Sequence, residues 1–171
     1  MSREFTVAHF VERQPVGISF EGFLPPHMAI VSTQADRRSE LDILRGAAGS
    51  FPPMKLQTSG KIDYYRPDIT SLGRRVYLTP ELQDLRSAMF TRIARSGLPV
   101  DGTEIFNPHI AATIGEMPPP GKVLVVKDLS LVETDGDGLN IVVDRLPLSG
   151  GKSHRMRMAR RLSEMLQRLR K

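Results

Sequence analysis

The chain has 171 residues, of which 40% are hydrophobic and 25% charged, so it can fold around one core and is too apolar for an intrinsically disordered protein. It has no cysteine, which excludes disulfide scaffolds and cysteine-ligated metal sites, and its four histidines are too scattered to suggest a histidine-rich metal site. Residues 1–150 carry 16 basic and 18 acidic side chains, whereas 151–171 carry 8 basic and one acidic. The net charge of +5 therefore comes from the C-terminal segment. This distribution argues against a nucleic-acid-binding surface over the whole molecule.

The first half of the chain is predicted to form strands and one helix. Gly46 marks the expected end of the helix, and Gly60 indicates a bulge or turn within a strand. In chain order the predicted elements are a strand over 4–12, a Pro- and Gly-rich loop over 13–26, a strand over 27–33, a helix over 35–46 and a strand over 54–65.

The second half repeats this alternation. Thr79 and Pro80 are typical of a helix N-terminus, and the Asp-Gly pairs at 135–138 predict a hairpin. The predicted elements are a strand over 73–79, a helix over 80–96, a strand over 107–115, and strands over 122–133 and 139–147. This order predicts an α+β fold in which helices cover one side of a mainly antiparallel sheet.

The C-terminal segment, 151–171, is predicted to be a separate basic amphipathic helix that follows a domain formed by 1–150. Its apolar stripe favours docking on the body or on a second subunit, and its arginines favour nucleic-acid phosphates or a membrane surface. The sequence contains no apolar run long enough to span a membrane and no signal-peptide pattern, so we expect a cytoplasmic protein without a membrane span.

A four-residue pattern occurs once in each half of the chain. Pro26-His27-Met28-Ala29 and Pro108-His109-Ile110-Ala111 are 82 residues apart, and each begins a predicted strand. A single histidine at a strand end is usually structural, but the matched pair favours one shared cleft. Two imidazoles that face a phosphate can act as general base and general acid without a metal.

These motifs resemble those of the two-histidine phosphoesterase superfamily, which includes RNA ligase-like 2′,3′-cyclic phosphodiesterases. The resemblance covers about residues 4–147 and includes the order of the elements. It implies a two-lobed, pseudo-symmetric α+β fold with antiparallel sheets flanking a central cleft and helices outside. It also implies that His27 and His109 are the catalytic acid–base pair, and that neither a metal nor another cofactor is needed.

The chain departs from the family pattern at one position in each motif. The family has Thr or Ser two residues after each histidine, where the hydroxyl holds the phosphate, and this chain has Ala29 and Ala111. Strand alternation predicts that Thr33 and Thr113 lie on the same faces further along and partly compensate. Losing a hydrogen bond to a charged phosphate costs about 1.5–3 kcal/mol.

The remaining candidates lie between the two motifs. Tyr65 and Arg66 are predicted either to stack on a base and bind a phosphate or to form an ordinary surface turn. Arg74 and Arg75 are interpreted as solvated strand charges, and Phe106 as a core residue.

Three functions are compatible with these patterns. The first is a metal-independent phosphodiesterase that acts on 2′-linked, 2′,3′-cyclic or cyclic-oligonucleotide phosphodiesters, with a nucleotide or an RNA end as its partner. The second is a protein of the same fold that binds or sequesters nucleotides or RNA with weak or no catalysis, which the two alanines favour. The third is an assembly protein whose basic tail mediates contacts and which binds no nucleotide.

Overall fold

A computed structural model describes residues 2–66, 69–101, 106–112 and 116–150 of the chain. Within these ranges the chain forms strands, one short 3₁₀ helix and two α-helices. The strands are β1 (Arg3–Phe10), β2 (Ser19–Glu21), β3 (His27–Ala35), β4 (Met54–Arg66), β5 (Ile69–Val76), β6 (Val100–Asp101), β7 (His109–Ala112), β8 (Val123–Val126), β9 (Asp128–Thr134) and β10 (Leu139–Pro147). The helices are the 3₁₀ helix (Arg38–Leu41), α1 (Asp42–Gly49) and α2 (Pro80–Arg95).

The strands form one sheet in the order β2-β10-β9-β1-β3-β7-β5-β4-β8, and β6 pairs with β3. All of these strand pairs are antiparallel. The predicted α+β class is confirmed in this form, as an antiparallel sheet with two α-helices. The order puts β3 and β7, the strands that begin with the two repeated histidines, next to each other in the interior of the sheet.

Both helices bury an apolar face in the same core. The Thr79 hydroxyl accepts a hydrogen bond from the Leu82 N–H at 3.3 Å, which confirms the predicted start of α2. Helix α2 buries Leu82, Leu85, Met89 and Ile93, and α1 buries Leu44, Ala47 and Ala48. No helix in the described part of the chain is long and apolar enough to cross a membrane.

The strand pairing contains several register shifts, and two of them lie beside the histidine-bearing strands or the cavity. The register between β1 and β3 shifts where Val7 pairs with Val31 but Ala8 pairs with Ala29, so Ile30 is an extra residue in β3. The register between β4 and β5 shifts between Thr58 and Ile62, as Gly60 predicted. A bulge reverses the face to which the later side chains of a strand point, and this matters for the site.

Several predicted boundaries differ from the structure. The strand predicted over 122–133 is two strands, because the chain leaves β4 after β8 and pairs with β1 as β9. The helix predicted over 35–46 begins later, since β3 continues to Ala35 and the Glu40 carboxylate then accepts the N–H groups of Asp36 and Arg37 at 3.1 and 3.3 Å. Strand β2 falls in the loop predicted over 13–26, and β6 falls between the predicted helix over 80–96 and the predicted strand over 107–115. The predicted tail helix lies outside the described residues.

Candidate active site

The strand register brings His27 and His109 to the same face of the sheet. His27 pairs with Ala111 across β3 and β7. Residues two apart on a strand point to the same face, so His109 shares the face of Ala111 and therefore that of His27. Diagonal pairs of this kind lie about 7–8 Å apart, a gap that one phosphoryl group can fill. The charge of His109 also contributes to lowering the pKa of His27, so the two groups interact electrostatically.

Each imidazole is oriented by a backbone carbonyl two residues before it. Nδ1 of His27 lies 2.8 Å from the carbonyl oxygen of Pro25, and Nδ1 of His109 lies 2.9 Å from that of Asn107. Because a carbonyl oxygen only accepts, Nδ1 carries the hydrogen in each bond. In a neutral ring, Nε2 is then the basic atom, and in a charged ring Nε2–H is the acid.

The proline before each histidine has the same structural role in both motifs. The carbonyl of Pro26 accepts a hydrogen bond from the Val11 N–H, and the carbonyl of Pro108 accepts one from the Val76 N–H, both at 2.9 Å. Proline has no N–H of its own and is suited to the start of a strand. The repeated sequence pattern therefore corresponds to a repeated backbone arrangement.

The residues directly across from the two histidines differ in chemistry. Phe10 is the register partner of His27, and the centroids of their rings are 5.8 Å apart. Arg75 is the register partner of His109. One imidazole therefore packs against an aromatic ring, while the other has an arginine on the neighbouring strand.

Burial determines the protonation of His27. Loss of solvent lowers the pKa of His27 below its usual 6.5, the hydrogen bond to the Pro25 carbonyl opposes this, and the charge of His109 lowers it further. Burial also lowers the pKa of His9, against the opposing effect of Asp128. The neutral form of His27 is therefore favoured at neutral pH, which leaves its Nε2 able to accept a proton.

These lowered pKa values predict how stability depends on pH. An unfolded histidine takes up a proton near pH 6.5, whereas folded His27 and His9 resist protonation until a lower pH. The free energy of unfolding is therefore expected to fall as the pH drops below about 6.5, because the unfolded state then binds more protons. Urea denaturation between about pH 7.5 and pH 5 measures this, and a His9→Gln/His27→Gln variant should show a flatter dependence. A wild-type slope that the double substitution leaves unchanged would contradict it.

The alanines of the two motifs share the face of the histidines. Ala29 is exposed and Ala111 is half-buried. Because both side chains are methyl groups, neither supplies a polar group to this face. His27 therefore has Ala111, the alanine of the other motif, directly opposite it on β7.

The structure differs from the prediction for Thr33. The bulge at Ile30 turns Thr33 to the core face, where it is 1% exposed and its hydroxyl donates to the Pro99 carbonyl. Ser32 takes the face of His27 instead, and its hydroxyl lies 2.9 Å from that of Thr6.

Thr113 and the side chains of Tyr65 and Arg66 lie outside the described part of the chain. Arg74, interpreted as solvated, is 8% exposed.

A cavity of about 410 Å³ opens beside the second histidine. Arg75 lines it from β5, together with Tyr77. The bulge residues of β4 and the segment before His109 form other walls, which include Ser59, Gly60, Phe106 and Asn107. The guanidinium of Arg86 lies 5.0 Å from the centre of the Phe106 ring, and this cation–π contact supports that wall. The cavity could not be predicted from the sequence, because it depends on the pairing of strands distant along the chain.

Possible metal ligands do not converge in the residues the structure describes. No group of three or more His, Cys, Asp or Glu side chains with a geometry suited to a metal ion occurs there. Among the described side chains of this face, two imidazoles and an arginine are the groups that can transfer protons or carry positive charge.

The fold is similar to that of several solved structures, one of which is described as a phosphoesterase. A crystal structure described as a phosphoesterase matches with a TM-score of 0.59 and 15% identity over 87% of this chain and 99% of the other. E. coli LigT complexed with 3′-AMP matches with a TM-score of 0.57 and 16% identity over 87% and 99%. A protein of Thermus thermophilus matches with a TM-score of 0.57 and 17% identity over 86% and 98%.

Comparisons of sequence add no relative. No protein-family model matches the chain, and no curated protein matches it either. The resemblance to the two-histidine phosphoesterases is confirmed at the level of the fold by the structural matches, which extend over almost the whole length of each neighbour.

Proposed function

We propose that this chain is a two-histidine phosphoesterase, with a cleft between two lobes, that acts on 2′-linked, 2′,3′-cyclic or cyclic-oligonucleotide phosphodiesters. The observation that carries the proposal is the pair of imidazoles on adjacent interior strands, each with Nδ1 bonded to the carbonyl two residues upstream. Paired general acid and base groups on one face of a sheet are the arrangement that such a reaction requires.

The reaction uses the two Nε2 atoms on opposite sides of one phosphorus. The basic Nε2 takes a proton from water as the water oxygen forms its bond to phosphorus. The other Nε2–H gives its proton to the ribose oxygen as the second phosphorus–oxygen bond breaks. A 2′,3′-cyclic phosphate then becomes a phosphomonoester and a free hydroxyl, and the pair has exchanged protonation states.

The different surroundings of the histidines favour one assignment. The lowered pKa of His27 keeps it neutral near pH 7, which is the state of a general base. His109 is then the acid that protonates the leaving oxygen. The scheme needs no metal and no other cofactor, so turnover is expected to be insensitive to EDTA.

Support for nucleotide substrates comes from the fold neighbours. Structures of E. coli LigT are described as complexes with 3′-AMP, NADP+ and ATP. A cavity of about 410 Å³ beside His109 has the volume that small-molecule sites usually have and two aromatic residues, Tyr77 and Phe106, among its walls. A nucleotide or an RNA end is therefore the partner we propose for this face.

A screen of phosphodiesters tests the proposal. Adenosine 2′,3′-cyclic phosphate, a 2′-5′-linked dinucleotide and a cyclic dinucleotide are incubated with the chain, with and without EDTA, and products are separated by chromatography. Turnover of at least one compound, retained in EDTA and lost in His27→Ala, is the expected result. Turnover that EDTA abolishes, or that survives in His27→Ala, would contradict the proposed mechanism.

A protein that binds nucleotides without turning them over is the second candidate. Ala29 and Ala111 favour it, because the family hydroxyls that hold the phosphate are missing. Binding of the same compounds without product formation would support this second function. Absence of both binding and turnover would favour an assembly role, in which the basic segment 151–171 contacts nucleic acid or a second subunit.

A further inference from the structure

The face that carries the histidines needs a group to hold a phosphate. A phosphodiester is an anion, and the side chains that follow the two histidines at the motif positions are methyl groups, at Ala29 and Ala111. The imidazoles are occupied by proton transfer in the proposed reaction, and His27 is favoured in its neutral form. A cationic side chain that is not consumed in proton transfer is therefore suited to hold the phosphate on this face.

Arg75 is at a position from which a side chain reaches the neighbouring imidazole. Phe10 and Arg75 occupy matching positions, since each is the register partner of a histidine and precedes the valine that bonds to the motif proline. The ring of Phe10 lies 5.8 Å from that of His27. An arginine is longer than a phenylalanine, so the guanidinium of Arg75 has the reach to contact an anion beside His109.

The surroundings of Arg75 leave room for a ligand. Arg75 is half-buried and lines the cavity of about 410 Å³ that it shares with Tyr77 and Phe106. A guanidinium presents its donors in a planar fork that matches two phosphate oxygens. Partial burial strengthens such a contact, because solvent screens the charges less.

We propose that Arg75 is the phosphate-binding residue of this site and replaces the hydroxyls that the family has after its histidines. The proposal rests on the proposed function and adds the source of anion binding. The ligand is a phosphomonoester or phosphodiester whose phosphate lies between Arg75 and His109 and whose organic part extends into the cavity. Binding is therefore centred on the second motif, while the aromatic neighbour of His27 contributes no charge.

Titration with inorganic phosphate and with 3′-AMP tests the proposal independently of turnover. Arg75→Gln keeps most of the side-chain length and removes the charge, and Arg75→Lys keeps the charge and removes the fork. We expect Arg75→Gln to weaken binding of both anions by about 10- to 100-fold, and Arg75→Lys to recover part of that loss. Arg92→Ala, at an exposed position in the last turn of α2, is the charge-matched control and should bind as the wild type does.

The outcomes separate this inference from the proposed function. Binding that depends on Arg75 in a chain that turns over no phosphodiester would support the inference and contradict the enzymatic proposal. Wild-type affinity in Arg75→Gln, in a chain that does turn over a phosphodiester, would overturn the inference alone. No binding of either anion by the wild-type chain would overturn the inference, and together with no turnover in the phosphodiester screen it would overturn both. Thermal unfolding of each variant checks that the affinities refer to folded protein.

Discussion

Substitution of either motif histidine by alanine is expected to lower kcat by about 10²–10⁴-fold, the usual contribution of a positioned general acid or base. His27→Ala removes the proposed base, and His109→Ala removes the proposed acid. The double variant should be little slower than the slower single variant, because the two groups act together in the same chemical step and their effects are not additive. Initial rates on the best substrate of the screen measure all three variants.

His9 provides a matched control for this experiment. It is half-buried, its pKa is lowered by burial as that of His27 is, and it lies on the neighbouring strand as the register partner of Met28. It is one residue before Phe10, and successive residues point to opposite faces, so His9 lies on the other side of the sheet from His27. His9→Gln should retain kcat. Equal losses in His9→Gln and His27→Ala would indicate a structural effect and contradict the catalytic assignment.

The dependence of the rate on pH is a second test of His27 as the base and His109 as the acid. A base and an acid that act together produce a bell-shaped profile of kcat/KM. Because burial lowers the pKa of His27, the acidic limb should lie below pH 6.5. Phe10→Ala would admit water beside the ring and is expected to move this limb towards higher pH.

The repeated backbone around the two motifs and most of the long elements could be predicted from the sequence. The Pro-His-apolar-Ala repeat predicts the same local backbone twice, and in both motifs the histidine Nδ1 bonds to the carbonyl two residues before it. The N-terminus of α2 was predictable because the Thr79 hydroxyl acts on a residue three positions away. Hydrogen bonds between residues two or three positions apart depend on the local sequence, so a short sequence pattern is enough to predict them.

Features that depend on strand pairing were not predictable. The predicted face of Thr33 was wrong because Ile30 is an extra residue in β3. Residues 28–31 are four apolar residues in succession, and the sequence does not show which of them is extra. Arg75 could not be distinguished from any other strand arginine until β5 was seen to pair with β7 in a register that sets it against His109. The apolar run over 122–133 also hid the change of partner from β4 to β1.

Introducing hydroxyls at the two positions where the two-histidine phosphoesterases have them is expected to increase turnover. A hydrogen bond to a charged group contributes about 1.5–3 kcal/mol, so a hydroxyl that bonds the phosphate only in the transition state should raise kcat by about 10- to 100-fold. Ala29→Thr and Ala111→Thr introduce it at an exposed and a half-buried position, respectively. Threonine is compatible with a strand, so the fold should tolerate both changes.

Valine at the same two positions separates the hydroxyl from the added bulk, because it has nearly the shape of threonine and no hydrogen-bonding group. If the hydroxyls act on the phosphate, the Ala29→Thr/Ala111→Thr variant should exceed both the wild type and Ala29→Val/Ala111→Val in kcat. Its gain should be less than the product of the two single gains, since both hydroxyls contact one phosphate. Equal rates in the threonine and valine variants would mean that the phosphate is already held by other groups, and the gain should then reappear when Arg75→Gln is combined with the threonines.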